Sequence, residues 1–79
     1  MPSRRLFMKI ILSTHTETNL YFRGIDGWKV KEVAKSASRK RTQKDGTIVA
    51  QKTFEDKVLE VVYAEYDNKR VIITAYYVD

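Results

Sequence analysis

The amino-acid sequence predicts an α+β domain in the order β-α-α-β-β-β(-β), with two helices packed on one face of a twisted, mainly antiparallel sheet. Two long runs near the end of the chain, residues 57–66 and 71–78, consist mostly of β-branched and aromatic residues, which are typical of strands. Two segments between residues 14 and 36 carry the start and stop signals of helices. Helices and strands segregated in this way favour a sheet that is covered by helices on one side and partly open on the other.

The first third of the chain is predicted to hold one strand and one helix. Residues 1–5 are expected to form a loose basic end, and the apolar run of residues 8–12 a strand. Thr14 and Glu17 have the spacing of a capping box, in which a hydroxyl and a carboxylate bind the free backbone amides at the start of a helix. Gly24 can adopt the left-handed conformation that closes a helix, so we expect the first helix to end there.

A second helix is predicted from Asp26, a suitable N-cap, to about Ser36. Apolar residues lie three and four positions apart along one side of it, as on a helix packed against a sheet: Val30, Val33, Ala34 and Ala37. Trp28 lies in the first turn, where we expect its ring to close the gap between this helix and the sheet.

The rest of the sequence predicts three or four antiparallel strands. Residues 39–44 are basic and compatible with a strand, and they end at Asp45-Gly46, a strong hairpin signal. Residues 47–54 form the next strand, and residues 55–57 turn the chain into the terminal hairpin, whose loop is residues 67–69. No linker divides the chain, so residues 1–79 are expected to form a single domain.

Composition and charge restrict the functions to consider. The 15 Lys and Arg residues outnumber the 10 Asp and Glu residues, and the net charge of +5 favours polyanionic partners such as nucleic acid or an acidic protein. Without cysteine and with one histidine, the chain is expected to use no metal and no cofactor. It contains neither an apolar run of about 20 residues nor a signal-peptide pattern. We therefore expect a soluble, cytoplasmic protein without membrane contact, monomeric or a small homo-oligomer.

Three segments, residues 15–25, 59–63 and 71–76, resemble a group of small uncharacterised domains. These domains are similar to the RelE-like toxins and to the wider barnase, EndoU, colicin and RelE grouping of ribonucleases. The group has a helix signature, His-Ala-x-x-Arg followed by Arg-Gly-Ile, which residues 15–25 resemble (HTETNLYFRGI). Residues 59–63 (LEVVY) and 71–76 (VIITAY) resemble its last two strands. The resemblance spans residues 13–78. It implies a toxin-like, metal-independent ribonuclease with RNA as substrate and an acidic antitoxin protein as partner.

The sequence departs from this signature at two positions. Thr16 replaces the Ala, which is a mild change, but Asn19 replaces the first Arg and removes a cation from the expected site. A loss of that cation favours a second hypothesis, a nucleic-acid-binding module without catalysis. A third hypothesis is a small protein-interaction domain whose basic face or edge strand binds an acidic partner by strand addition.

Four residues are candidates for catalysis, and each has a structural alternative. His15 is the side chain best suited to proton transfer near neutral pH, or else a polar residue of the first helical turn. Arg23 is either the phosphate-binding guanidinium of the signature or a cation that stabilises a helix C-terminus. Thr74 and Tyr76 lie two apart on one strand and so share a face, where they either bind phosphate and stack on a base or serve sheet packing.

Six further residues are candidates for nucleic-acid binding. Five are cations near the third predicted strand, and Tyr63 is expected on the face of Thr74 and Tyr76 if the strand register allows it. The cations form either a phosphate track or a solvated edge that prevents strand association. They are Arg39, Lys40, Arg41, Lys44 and Lys52.

Overall fold

The structure is a computed structural model that describes residues 9–78. Its elements in chain order are β1 (Lys9–Leu12), α1 (Thr14–Arg23), α2 (Gly27–Ser36), β2 (Arg39–Thr42), β3 (Ile48–Phe54), β4 (Lys57–Glu65) and β5 (Lys69–Val78). This confirms the predicted α+β class and element order. The expectation for residues 1–5 and the first residue of the strand predicted at 8–12 lie outside the described residues.

The five strands form one mixed sheet in the order β1-β5-β4-β3-β2. Strands β2 to β5 are joined as successive antiparallel neighbours, whereas β1 runs parallel to β5, with Lys9 opposite Lys69 and Leu12 opposite Ile72. A shift in register between Val62 and Tyr63 marks a β-bulge in the β4–β5 pair. The parallel pair places β1 beside β5 in the sheet. In the sequence, α1 and α2 form the connection between β1 and β2.

Helix α1 begins one residue earlier than the capping-box spacing predicts. Ser13 is the N-cap, and its hydroxyl oxygen accepts a hydrogen bond from the Thr16 backbone N–H at 3.1 Å. Thr14, the expected N-cap, is the first residue of the helix, so that expectation is wrong. The end is as predicted, because Gly24 has a φ of 70° and closes the helix in the left-handed conformation.

Helix α2 has the predicted bounds and buries its apolar side. Asp26 is the N-cap residue, although its side chain makes no capping hydrogen bond. Val30, Val33 and Ala34 are buried against the sheet. Trp28 does not close the gap between helix and sheet as expected: it is 63% exposed, and its ring meets the edge of Phe54 at the surface.

The helices cover one face of the sheet and leave the other open. Successive side chains of each strand point to alternate faces. The covered face holds the core residues of the strands, Ala50, Leu59, Val61, Tyr63, Ile72 and Ala75. The residues between them point to the other side, which we call the open face: Arg39, Arg41, Val49, Gln51, Glu60, Val62, Thr74 and Tyr76. Among the described residues, no helix is long and apolar enough to cross a membrane.

Candidate functional site

Helix α1 lies along the edge of β5 where β1 stops. Strand β1 pairs with β5 only as far as Ile72. The Thr16 hydroxyl donates to the Ile72 carbonyl oxygen at 3.4 Å, and the Arg23 guanidinium donates to the Ala75 carbonyl oxygen at 2.7 Å. The helix therefore follows β5 in the same direction and supplies hydrogen-bond donors to an edge that has no strand beside it.

One stripe of α1 carries three polar side chains, of which Arg23 contacts this edge. His15, Asn19 and Arg23 are spaced four apart, which places them along one side of a helix, and we call them the α1 stripe. Nδ2 of Asn19 lies 3.3 Å from Nε2 of His15. The amide of Asn19 therefore lies within hydrogen-bond distance of the imidazole ring.

Arg23 connects the α1 stripe to the open face. Besides its bond to Ala75, its guanidinium donates to Oγ1 of Thr74 at 3.2 Å. Thr74 lies opposite Val62 on the open face, and Tyr76 follows two residues later on the same side of β5. Three of the four predicted catalytic residues thus lie together at one edge of the sheet, Arg23, Thr74 and Tyr76, although Arg23 and Thr74 are 51 positions apart in the sequence. His15 is exposed at the other end of the α1 stripe.

Tyr76 belongs to a hydrogen-bonded cluster with Glu60 and Gln51. The three residues lie opposite one another on adjacent strands, so their side chains share the open face. The Tyr76 hydroxyl donates to Oε2 of Glu60 in a short hydrogen bond, and Nε2 of Gln51 donates to Oε1 of Glu60 at 2.7 Å. Both carboxylate oxygens are therefore bound, and Glu60 is only 8% exposed while Tyr76 is 38% exposed.

The cluster changes the acidity of both ionisable partners. The hydrogen bond from Tyr76 lowers the pKa of Glu60, with smaller contributions from Gln51 and from the positive charge of Arg41, while burial opposes them. The same hydrogen bond raises the pKa of Tyr76, since ionisation would place two negative charges side by side. Near neutral pH, Glu60 is therefore an ionised carboxylate that accepts a hydrogen bond from the neutral phenol of Tyr76.

The predicted cations divide between the two faces of the sheet. Arg39 and Arg41 lie opposite Gln51 and Val49, so they extend the open face at its β2 edge, where a depression of about 300 Å³ lies among them. Lys40, between them, lies opposite the core residue Ala50 and is on the helix-covered side.

The last two predicted cations lie away from the open face. Lys52 is also on the helix-covered side, where its Nζ donates to the carboxylate of Glu32 at 2.7 Å and to Ser36 Oγ at 3.2 Å. Lys44 lies in the turn between β2 and β3 and is exposed. Of the five predicted cations, the strand register therefore assigns Arg39 and Arg41 to the open face.

Tyr63 is not on the face of Thr74 and Tyr76, and that expectation is wrong. It lies opposite Ile72 and is fully buried in the core between sheet and helices. Arg70 lies over its ring, 5.2 Å from the centroid. A ligand on the open face cannot reach Tyr63.

Glu60 and Gln51 are the site residues that the sequence analysis missed. The sequence does hold a signal for Glu60, a carboxylate in the middle of the apolar run Val58–Val62, where a strand interior normally carries none. Its partners could not be read from the sequence, because Gln51 and Tyr76 lie on neighbouring strands whose register is not encoded locally. Within residues 9–78, no group of three or more His, Cys, Asp or Glu side chains is arranged to hold a metal ion.

The fold and the site define a small α+β domain with a polar cluster and cations on the uncovered face of its sheet. The family model of the domain of unknown function DUF4258 matches residues 12–77, and the chain belongs to this family. The matched range includes the α1 stripe, Glu60 and Tyr76. No curated protein and no solved structure gives a match.

Proposed function

We propose that this chain binds RNA on the open face of its sheet and cleaves it without a metal ion, as a toxin-like ribonuclease. The observation that carries the proposal is the bond between Arg23 and Thr74, which joins the α1 stripe to the open face beside Tyr76. The resemblance of residues 13–78 to RelE-like domains supports it as well. An acidic antitoxin that covers the cations of the open face is the protein partner that this proposal expects.

The residues supply the groups that such a reaction needs. Cleavage within RNA requires a base for the 2′-hydroxyl, an acid for the leaving oxygen, and cations that stabilise the charged phosphate in the transition state. His15 is the proton-transfer group of the α1 stripe. The guanidinium of Arg23 and the hydroxyl of Thr74 can donate to phosphate oxygens, and Tyr76 lies next to them on the same face.

Cleavage of total RNA by the purified protein in EDTA tests the proposal. We expect cleavage that survives chelation and falls at least tenfold in His15→Ala, a loss of about 1.4 kcal/mol or more of transition-state stabilisation. Thr18→Ala is the matched control, because Thr18 is an exposed α1 residue outside the α1 stripe and its loss should leave the rate unchanged. Intact RNA with the wild-type protein, or equal rates in wild type and His15→Ala, would remove the catalytic proposal.

A nucleic-acid-binding module without catalysis is the second candidate function. Asn19 favours it, since this residue stands where the signature has an arginine and its amide binds Nε2 of the one histidine. This candidate requires salt-dependent RNA binding on the same face and intact RNA after incubation.

Arg41→Ala and Lys40→Ala form a matched pair that locates the binding face for either candidate. Both variants remove one positive charge from β2, but only Arg41 is on the open face. If Arg41 contacts a phosphate of a single strand, its loss lowers the slope of log affinity against log salt by about 0.7. Lys40→Ala should leave the slope unchanged, and equal slopes in the two variants would exclude the open face as the RNA site.

A further inference from the structure

The hydrogen bond between Tyr76 and Glu60 decides what the phenol can offer to a ligand. A phenol has one proton to donate, and that proton points to Oε2 of Glu60. Only lone pairs of the phenol oxygen therefore remain for a molecule on the open face. Because 38% of Tyr76 is exposed, a ligand can reach the residue, and the phenol oxygen then acts as an acceptor.

This restriction excludes phosphate as the group that Tyr76 binds. Phosphodiester oxygens carry no proton and can only accept hydrogen bonds, so they match donors such as Arg23, Thr74 and Arg41. The ribose 2′-hydroxyl is different, since it can donate as well as accept, and it is the group by which a protein distinguishes RNA from DNA.

We propose that Tyr76 and Glu60 form a binding site for a ribose 2′-hydroxyl, with Glu60 as the positioning residue, and that this site makes the open face selective for RNA over DNA. The inference rests on the proposed function in one respect, that a nucleic acid lies on the open face. It assigns a role to Glu60 and replaces the expectation that Tyr76 donates to phosphate.

The surroundings of Glu60 keep the phenol in this orientation. Gln51 donates to the second carboxylate oxygen at 2.7 Å, and the carboxylate is almost completely buried, so it cannot rotate away without losing a hydrogen bond. Arg41 contributes positive charge that favours the ionised form of Glu60. An ionised carboxylate is acceptor-only, so it continues to require the phenolic proton.

The position of the pair suits contact with one nucleotide at two points. Thr74 and Tyr76 lie two residues apart on β5, which separates their Cα atoms by about 7 Å. A phosphate bound by Arg23 and Thr74 therefore lies next to a 2′-hydroxyl bound by Tyr76.

Binding of short single-stranded oligonucleotides of one sequence, made as RNA, DNA and 2′-O-methyl RNA, tests the inference by fluorescence anisotropy. The wild-type protein should bind RNA roughly fivefold more tightly than the other two, which is the contribution of one net hydrogen bond. Tyr76→Phe, and Glu60→Leu, which leaves the phenol without its acceptor, should lower RNA affinity to the DNA level and change DNA affinity less than about twofold. A denaturing gel verifies that the RNA is intact at the end of each titration.

Two controls separate the 2′-hydroxyl site from its neighbours. Arg41→Ala should weaken binding of all three oligonucleotides by the same factor, because phosphate is common to them. Tyr77→Phe removes a hydroxyl from the next residue, whose ring packs on the helix-covered side, and should change nothing.

The outcomes distinguish this inference from the proposed function. Failure of the wild-type protein to bind any oligonucleotide at low salt would remove both. Equal binding of RNA and DNA by the wild type, or a preference for RNA that persists in Tyr76→Phe, would overturn the 2′-hydroxyl site and leave phosphate binding intact. A preference for RNA that is lost in Tyr76→Phe but fully retained in Glu60→Leu would refute the positioning role of Glu60.

Discussion

Replacing Tyr63 with phenylalanine should stabilise the protein. Tyr63 is fully buried, and its hydroxyl has no hydrogen-bond partner among the described residues. Burial accordingly raises the pKa of its phenol. The ring itself is well placed, since it packs in the core and under the guanidinium of Arg70 at 5.2 Å from the centroid. Phenylalanine keeps the ring and removes the unpaired hydroxyl.

The magnitude follows from the cost of an unpaired polar group. A buried hydroxyl without a partner costs about 1–3 kcal/mol. Removing the hydroxyl leaves a small void, where the surrounding side chains lose van der Waals contacts. This loss offsets part of the stabilisation. We therefore expect the free energy of unfolding to rise by about 1 kcal/mol, which corresponds to a rise in Tm of about 4–8 °C for a domain of this size.

Urea unfolding followed by circular dichroism measures this difference. Tyr66→Phe is the control, because Tyr66 is 53% exposed and its hydroxyl is available to solvent, so the change should stay within about 0.5 kcal/mol. A Tyr63→Phe protein that is less stable than the wild type by more than about 0.5 kcal/mol would refute the reasoning, since it would show that the hydroxyl has a partner, such as a buried water.

Two further predictions concern the helix start and the site cluster. Ser13→Ala should lower the free energy of unfolding by about 1 kcal/mol through loss of the α1 cap, whereas Thr14→Ala should change it by less than about 0.5 kcal/mol; equal effects in urea unfolding would contradict the assignment of the cap. Because the folded-state pKa of Glu60 is lowered, its contribution to stability is present above its ordinary pKa of 4.5 and is lost as pH falls through the lower folded value. The raised pKa of Tyr76 acts in the opposite sense, so its contribution is lost as pH rises through a value above 10.0. Glu60→Gln should therefore flatten both limbs of the curve of urea midpoint against pH, and an unchanged curve would contradict the coupling.

Local signals predicted most of the fold. Gly24 ends α1, Asp26 precedes α2, and the turn at Asp45-Gly46 separates β2 from β3, because each of these features depends on residues close together in the chain. The parallel pairing of Lys9 with Lys69 has no such local signal, since it joins residues sixty positions apart. The N-cap of α1 was predicted one position too late, because Ser13 and Thr14 both carry a hydroxyl and the capping-box spacing favoured Thr14.

The site was only partly predictable, for a related reason. Alternation along one strand correctly placed Arg39 with Arg41 and Thr74 with Tyr76. The side of Tyr63 depended on the register between β4 and β5, where a bulge shifts the pairing. The partners of Glu60 come from the two strands beside it, so its own strand gives no signal for them.

The position of α1 along β5 links the integrity of the candidate site to the solubility of the protein. Arg23 covers a carbonyl of the sheet edge with the same guanidinium that it extends to Thr74. If α1 detached, the molecule would lose the α1 stripe and, in the same step, expose a bare strand edge that pairs readily with other chains. Molecules that lose the site would therefore aggregate rather than persist as inactive soluble protein, so the soluble fraction of a preparation would report closely on its competent fraction.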